Sequence, residues 1–176
     1  MKTSLFFLFL VLPTSVLCQA KYLPAGKISL TADRTPWNLV FSAKGFSIKE
    51  QNIKPDGSAA YFFITNDKTY LNASLWIEPV SKCKTSKECR DMVWKAGNPA
   101  WGRFQDPLLS EIGAVSYFEF YRPSVQGQPV KMLDMYAEFV KDGYWVDLHM
   151  SKVLYTKPDH ALFEDLVRSA SFEPKK

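Results

Sequence analysis

Hydrophobic and polar residues alternate along much of this chain, and the alternation predicts strands before anything else. Ala60-Tyr61-Phe62-Phe63-Ile64-Thr65 is rich in aromatic and β-branched residues, and Leu71 to Val80 alternates throughout. Asn66-Asp67 turns the chain between them. Earlier, Trp37-Asn38-Leu39-Val40-Phe41 reads as a short strand or turn. Phe46-Ser47-Ile48 leads into another, closed by the Pro55-Asp56-Gly57 turn. Three more strands follow in succession, at about Gly113–Arg122, Val130–Val140 and Tyr144–Tyr155. Asp142-Gly143 joins the last two as a two-residue type I′ hairpin, and residues 123–129 form a longer hairpin loop.

The period changes to that of a helix in two places. Cys89, Met92, Val93 and Ala96 form one apolar face over Ser86–Ala96. Thr85 and Glu88 supply a capping box at its start, and Gly97 and Pro99 stop it. Asn98 to Pro107 is a loop containing Trp101 and Phe104. Pro158 opens the second helix, where its missing N–H costs nothing, and Leu162, Phe163, Leu166, Val167 and Ala170 form the buried stripe. Ser171-Phe172-Glu173 is a short extended tail. Residues 21–36, broken by Pro24, Gly26 and Pro36, read as a linker or N-terminal arm. Residues 37–174 then form a single globular α+β domain, with an antiparallel sheet of about six strands and helices packed on it.

The longest apolar run lies at the front. Lys2 precedes Leu5-Phe6-Phe7-Leu8-Phe9-Leu10-Val11-Leu12, and Pro13, Thr14 and Ser15 lead to Val16-Leu17-Cys18-Gln19-Ala20. That order is the order of a cleavable signal peptide over residues 1–20. The run is too short to span a bilayer, and the rest of the sequence has no longer one. Cleavage falls after Cys18 or after Ala20. A lipid anchor on Cys18 would need a small residue before it, and Leu17 stands there. The expected product is secreted or periplasmic, about 156 to 158 residues long, with a formal charge of +3. So small a charge, with no basic stripe, argues against nucleic acid.

Cleavage leaves Cys83 and Cys89, which in an exported chain read as one disulfide. The spacing is not the C-x-x-C of a redox pair, and both histidines are too far along the chain to complete a metal site. Lys82, Lys84, Lys87 and Arg90 cluster around the bridge. They are a solvated surface or a docking patch for an acidic partner or an anionic membrane.

The element order resembles the family of small domains that includes the photosystem II extrinsic protein PsbP, Mog1 and the DcrB-like lipoproteins. The matching features are Trp37, Phe41 and Phe46 at the entry, Asp56-Gly57 before a strand, and Asn72-Ala73-Ser74-Leu75-Trp76-Ile77-Glu78 before a helix. A meander and a helix closing on Ser169-Ala170-Ser171-Phe172 complete it. The resemblance implies an α/β/α sandwich and a binding or assembly role, and it carries over no site residues.

The Asp142-Gly143 turn fixes a register. Val140 faces Trp145, Glu138 faces Asp147 and Tyr136 faces His149, while Met135, Ala137 and Phe139 with Val146, Leu148 and Met150 form a core face. The polar and aromatic face extends onto Tyr117, Glu119 and Tyr121 of the preceding strand. Tyr117, Glu119, Tyr136, Glu138, Trp145, Asp147 and His149 are thus a candidate binding face. Glu138 opposite Asp147 is a conflict of like charges. A Lys or Arg from elsewhere resolves it, or a divalent cation held by Glu138, Asp147 and Asp134 or Glu119, or acid–base chemistry with His149. His149 is expected to stack on Tyr136, and His160 to be exposed in the first turn of its helix. Asn72-Ala73-Ser74 is an N-glycosylation pattern inside a predicted strand, read as chance.

The sequence contains no nucleophile elbow, phosphate-cradling glycine loop or His-Glu-x-x-His. The expected function is therefore a non-enzymatic exported domain that binds a protein partner or small ligand and needs no cofactor. A hydrolase or metal-dependent activity around Glu138, Asp147 and His149 is the alternative.

Overall fold

The computed structural model describes residues 19–97, 106–125 and 127–175. The expected signal segment up to position 18 lies outside the described residues, as does most of the Asn98–Pro107 loop. The chain runs β1 (Gln19–Leu23), β2 (Lys27–Thr31), β3 (Trp37–Ser42), β4 (Ser47–Ile53), β5 (Ala60–Asn66), β6 (Leu71–Pro79), then α1 (Ser86–Ala96). It continues β7 (Leu108–Ile112), β8 (Val115–Val125), β9 (Gln128–Lys141), β10 (Tyr144–Lys152), α2 (His160–Ser169) and β11 (Ser171–Pro174).

The described strands form two antiparallel sheets, one ordered β1-β2-β3-β11 and the other β4-β5-β6-β10-β9-β8-β7. This overturns the expected α+β domain of about six strands and with it the α/β/α sandwich. The inner layer that helices were expected to fill is largely a second sheet. Its strands are short and bracketed by Pro24, Gly26 and Pro36, which masked their pattern. Residues 21–36, read as an arm, hold all of β2, whose Ile28 and Leu30 are fully buried.

One core joins the two sheets. Ile28, Leu30, Leu39 and Phe41 of the smaller sheet meet Phe62, Ile64, Leu75, Ile77, Met135, Leu148 and Met150 of the larger. Phe163, Leu166 and Val167 of α2 complete it, as the stripe predicted. Burying one such side chain stabilises the fold by roughly 1.5–3 kcal/mol.

Helix α1 packs on the other face of the large sheet, over β8 and β9. Thr85 Oγ1 accepts from the Glu88 N–H at 3.2 Å, while Glu88 Oε2 accepts from the Lys84 N–H at 2.7 Å. Gly97, at φ +74°, closes the helix with its N–H on Val93 O. The packed side is one residue out of phase with the expected one. Cys89 and Arg90 are buried, and Val93 and Trp94 lie on Phe118, Phe120 and Tyr136, whereas Ala96 is exposed. Cys83 and Cys89 form the expected bridge, with Cα atoms 5.0 Å apart. It closes a loop local to the helix start and suits an oxidising, non-cytoplasmic environment. Among the described residues no helix is long and apolar enough to cross a membrane.

Candidate functional site

The hairpin register is the one the Asp142-Gly143 turn predicts. Both turn residues have positive φ, as type I′ requires, and Trp145, Asp147 and His149 pair with Val140, Glu138 and Tyr136. The neighbouring strands extend these pairs into rows across the outer face of the large sheet. One row is Tyr61, Trp76, Asp147, Glu138, Ser116; the next is Phe63, Ser74, His149, Tyr136, Phe118.

These rows correct the expected binding face. On β8 it is Ser116, Phe118 and Phe120 that share the face with Glu138, Tyr136 and Asp134. Tyr117, Glu119 and Tyr121 point the other way, and Tyr117 belongs to the core. The pairing of β8 with β9 shifts between Arg122 and Ser124, and a slip of one residue turns every side chain over. Glu119 serves instead to dock α2. Its Oε2 lies 2.8 Å from His160 Nε2, so His160 is held at the sheet rather than exposed.

The face has a closed half and an open half. Under α1, Phe118 stacks on Tyr136 at 4.8 Å, and Tyr136 on His149 at 4.1 Å with the rings 10° apart. Asp134 is fully buried beside them. Its carboxylate accepts two bonds from Arg122, at 2.6 and 2.8 Å, and faces His149 Nε2 at 3.0 Å. Asp134 is thus committed to a structural pair, and among the described residues no three His, Cys, Asp or Glu side chains are placed to hold a metal.

Glu138 is also fully buried, 0% exposed. Trp145 Nε1 donates to its Oε2, while Glu138 Oε1 and Asp147 Oδ1 are buried without a hydrogen-bond partner. The expected neutralising Lys or Arg is not found: among the described residues neither carboxylate has an ion-pair partner. Burial, and then the charge of Asp147, pushes the Glu138 carboxyl well above the usual carboxylate range. Burial likewise raises Asp147 to about 6, against the pull of His149. Both shifts favour the protonated forms, which relieves the conflict of like charges. Because Glu138 cannot meet a solute, the geometry does not favour acid–base catalysis at this pair.

The open half lies on β5 and β6. Trp76 is 42% exposed although its strand is in the interior of the sheet. Its ring sits 4.9 Å from that of Tyr61, and Phe63 shares the face. The sequence reading missed this aromatic pair, although the alternation of Leu75, Trp76 and Ile77 puts Trp76 opposite to the core. Asn72 of the glycosylation pattern is half-buried on the same strand. Of the basic cluster, Lys82, Lys84 and Lys87 are exposed. Arg90 is not: it is buried against Asp91 Oδ1, with its Nε at 2.9 Å, and its Nη1 reaches Ser110 O. A cavity of about 400 Å³ lies away from this face, on the small sheet, lined by Lys21, Thr31, Asn38 and Glu173 among others. No protein-family model matches the sequence, and no curated protein matches it.

Proposed function

We propose that this is an exported, non-enzymatic binding domain that takes a protein partner on the open half of its outer sheet face. The exposed Trp76–Tyr61 pair carries the reading. Large aromatic side chains supply most of the energy where protein surfaces meet, and an exposed Trp on an interior strand has no role in this fold's own core. The face is a sheet surface rather than a concave pocket, which suits a macromolecule better than a small ligand. The leader-like front segment and the Cys83–Cys89 bridge support export. Lys82, Lys84 and Lys87 favour an acidic partner by steering its approach.

A photo-crosslinking residue at Ser74, on the same face, should trap the partner in the native envelope or secreted fraction. With that partner purified, Trp76→Ala and Tyr61→Ala should each weaken binding at least ~10-fold, about 1.4 kcal/mol, without lowering Tm. Wild-type affinity in both variants would sink the assignment.

A further inference from the structure

We propose that Glu138 and Asp147 form a proton-operated latch that seats α1 on the sheet: the helix is held while the pair keeps its protons and loosens when both carboxyls ionise. The geometry supports this in two independent ways. First, the two carboxyls face each other across β9 and β10, Glu138 fully buried and Asp147 half-buried, each with a buried oxygen that has no hydrogen-bond partner. Two ionised carboxylates in that position would repel each other and lack solvation. Second, the attachment of α1 runs through the same residue. Ser86 Oγ, in the first turn of α1, donates to the backbone carbonyl of Glu138 and accepts from the Ser116 N–H. Movement of β9 at Glu138 therefore reaches the helix directly. The disulfide does not oppose this, because both its cysteines lie at the helix start rather than on the sheet.

Among the described residues, charged and polar groups lie on each side of the pair. Glu78 on β6 adds negative charge next to Asp147, and Lys54 stands 3.9 Å from Glu78. His149 on β10 favours ionised Asp147. Arg122 on β8 is committed to Asp134 on β9. From α1 the contact is Ser86, while Arg90 is turned to Asp91 and to Ser110 of β7. The sign follows from the raised carboxyl values. The folded chain holds protons that the unfolded chain releases near pH 4, so the contribution is full below that point. It is lost as pH rises through about 6 for Asp147 and through the raised range of the Glu138 carboxyl. This inference is independent of the partner face on β5 and β6.

The test compares the wild type with Glu138→Gln and Asp147→Asn. Both variants keep the shape of the side chain and remove one charge, and all three proteins keep His149 and Glu78. Between about pH 5 and about pH 8 the wild-type Tm should fall by on the order of 5 °C relative to Glu138→Gln. Hydrogen exchange, corrected for its intrinsic pH dependence, should show α1 and the Ser116 amide losing protection over the same range in the wild type only. The Trp145 indole N–H resonance should shift as Glu138 titrates. A constant Tm difference across the range, or unchanged α1 protection, would overturn the latch. So would a wild-type Tm at about pH 8 that rises with Ca²⁺ and falls with chelator, since the pair would then be a cation site.

Discussion

Asp134 shows what a buried charge needs. It is fully buried, and Arg122 meets it with a two-point contact while His149 approaches from β10. Replacing Arg122 by Met should cost about 3–5 kcal/mol in urea unfolding, because Asp134 would be left without its cation. Replacing both at once, Arg122→Met with Asp134→Leu, should cost much less. Glu138 and Asp147, two rows along, have no such cation among the described residues, and burial favours their protonated forms instead. The sequence displayed the conflict at these two residues plainly, since the hairpin turn set them opposite each other. Its resolution was not legible, because it depends on α1 and the sheet excluding water from the pair. Local pattern carries no information about which helix covers which row.

Element by element, legibility follows how the ends are fixed. Helix α1 was readable to the residue because Thr85 and Gly97 mark its ends chemically. Thr85→Ala should lower stability by about 1 kcal/mol, and replacing both Cys83 and Cys89 by Ala by about 2 kcal/mol, each measured by thermal unfolding. The β9–β10 hairpin was readable because two residues of positive φ admit one register. The β8–β9 hairpin was not. Residues 123–129 look like a loop, with a proline at each end. In fact the strands run on to Val125 and resume at Gln128, and Pro123 occupies the irregular step where a missing N–H is tolerated. Tyr117, Glu119 and Tyr121 were therefore assigned to the face they do not occupy. Helix phase failed in a similar way, since Arg90 is buried through its bonds to Asp91 and Ser110, which hydrophobicity does not record.

For the whole molecule, the decisive contact is between the sheets. Phe172 of β11 packs against Trp37 at 4.6 Å and Phe139 at 6.2 Å, touching both layers at once. Phe172→Ala should cost about 3 kcal/mol with an unchanged m-value, as read from urea titration. The layered arrangement was hidden because β1, β2, β7 and β11 are five residues or shorter. A strand that short gains its stability from neighbours assembled late in the chain, as β11 pairing with β3 illustrates. The disulfide has a consequence of another kind. Lys84 is exposed and lies between Cys83 and Cys89. A protease that cuts after lysine can sever the backbone there, yet both fragments stay covalently joined through sulfur. Such a nicked molecule should migrate intact on a denaturing gel and separate into two bands only when a reductant is added.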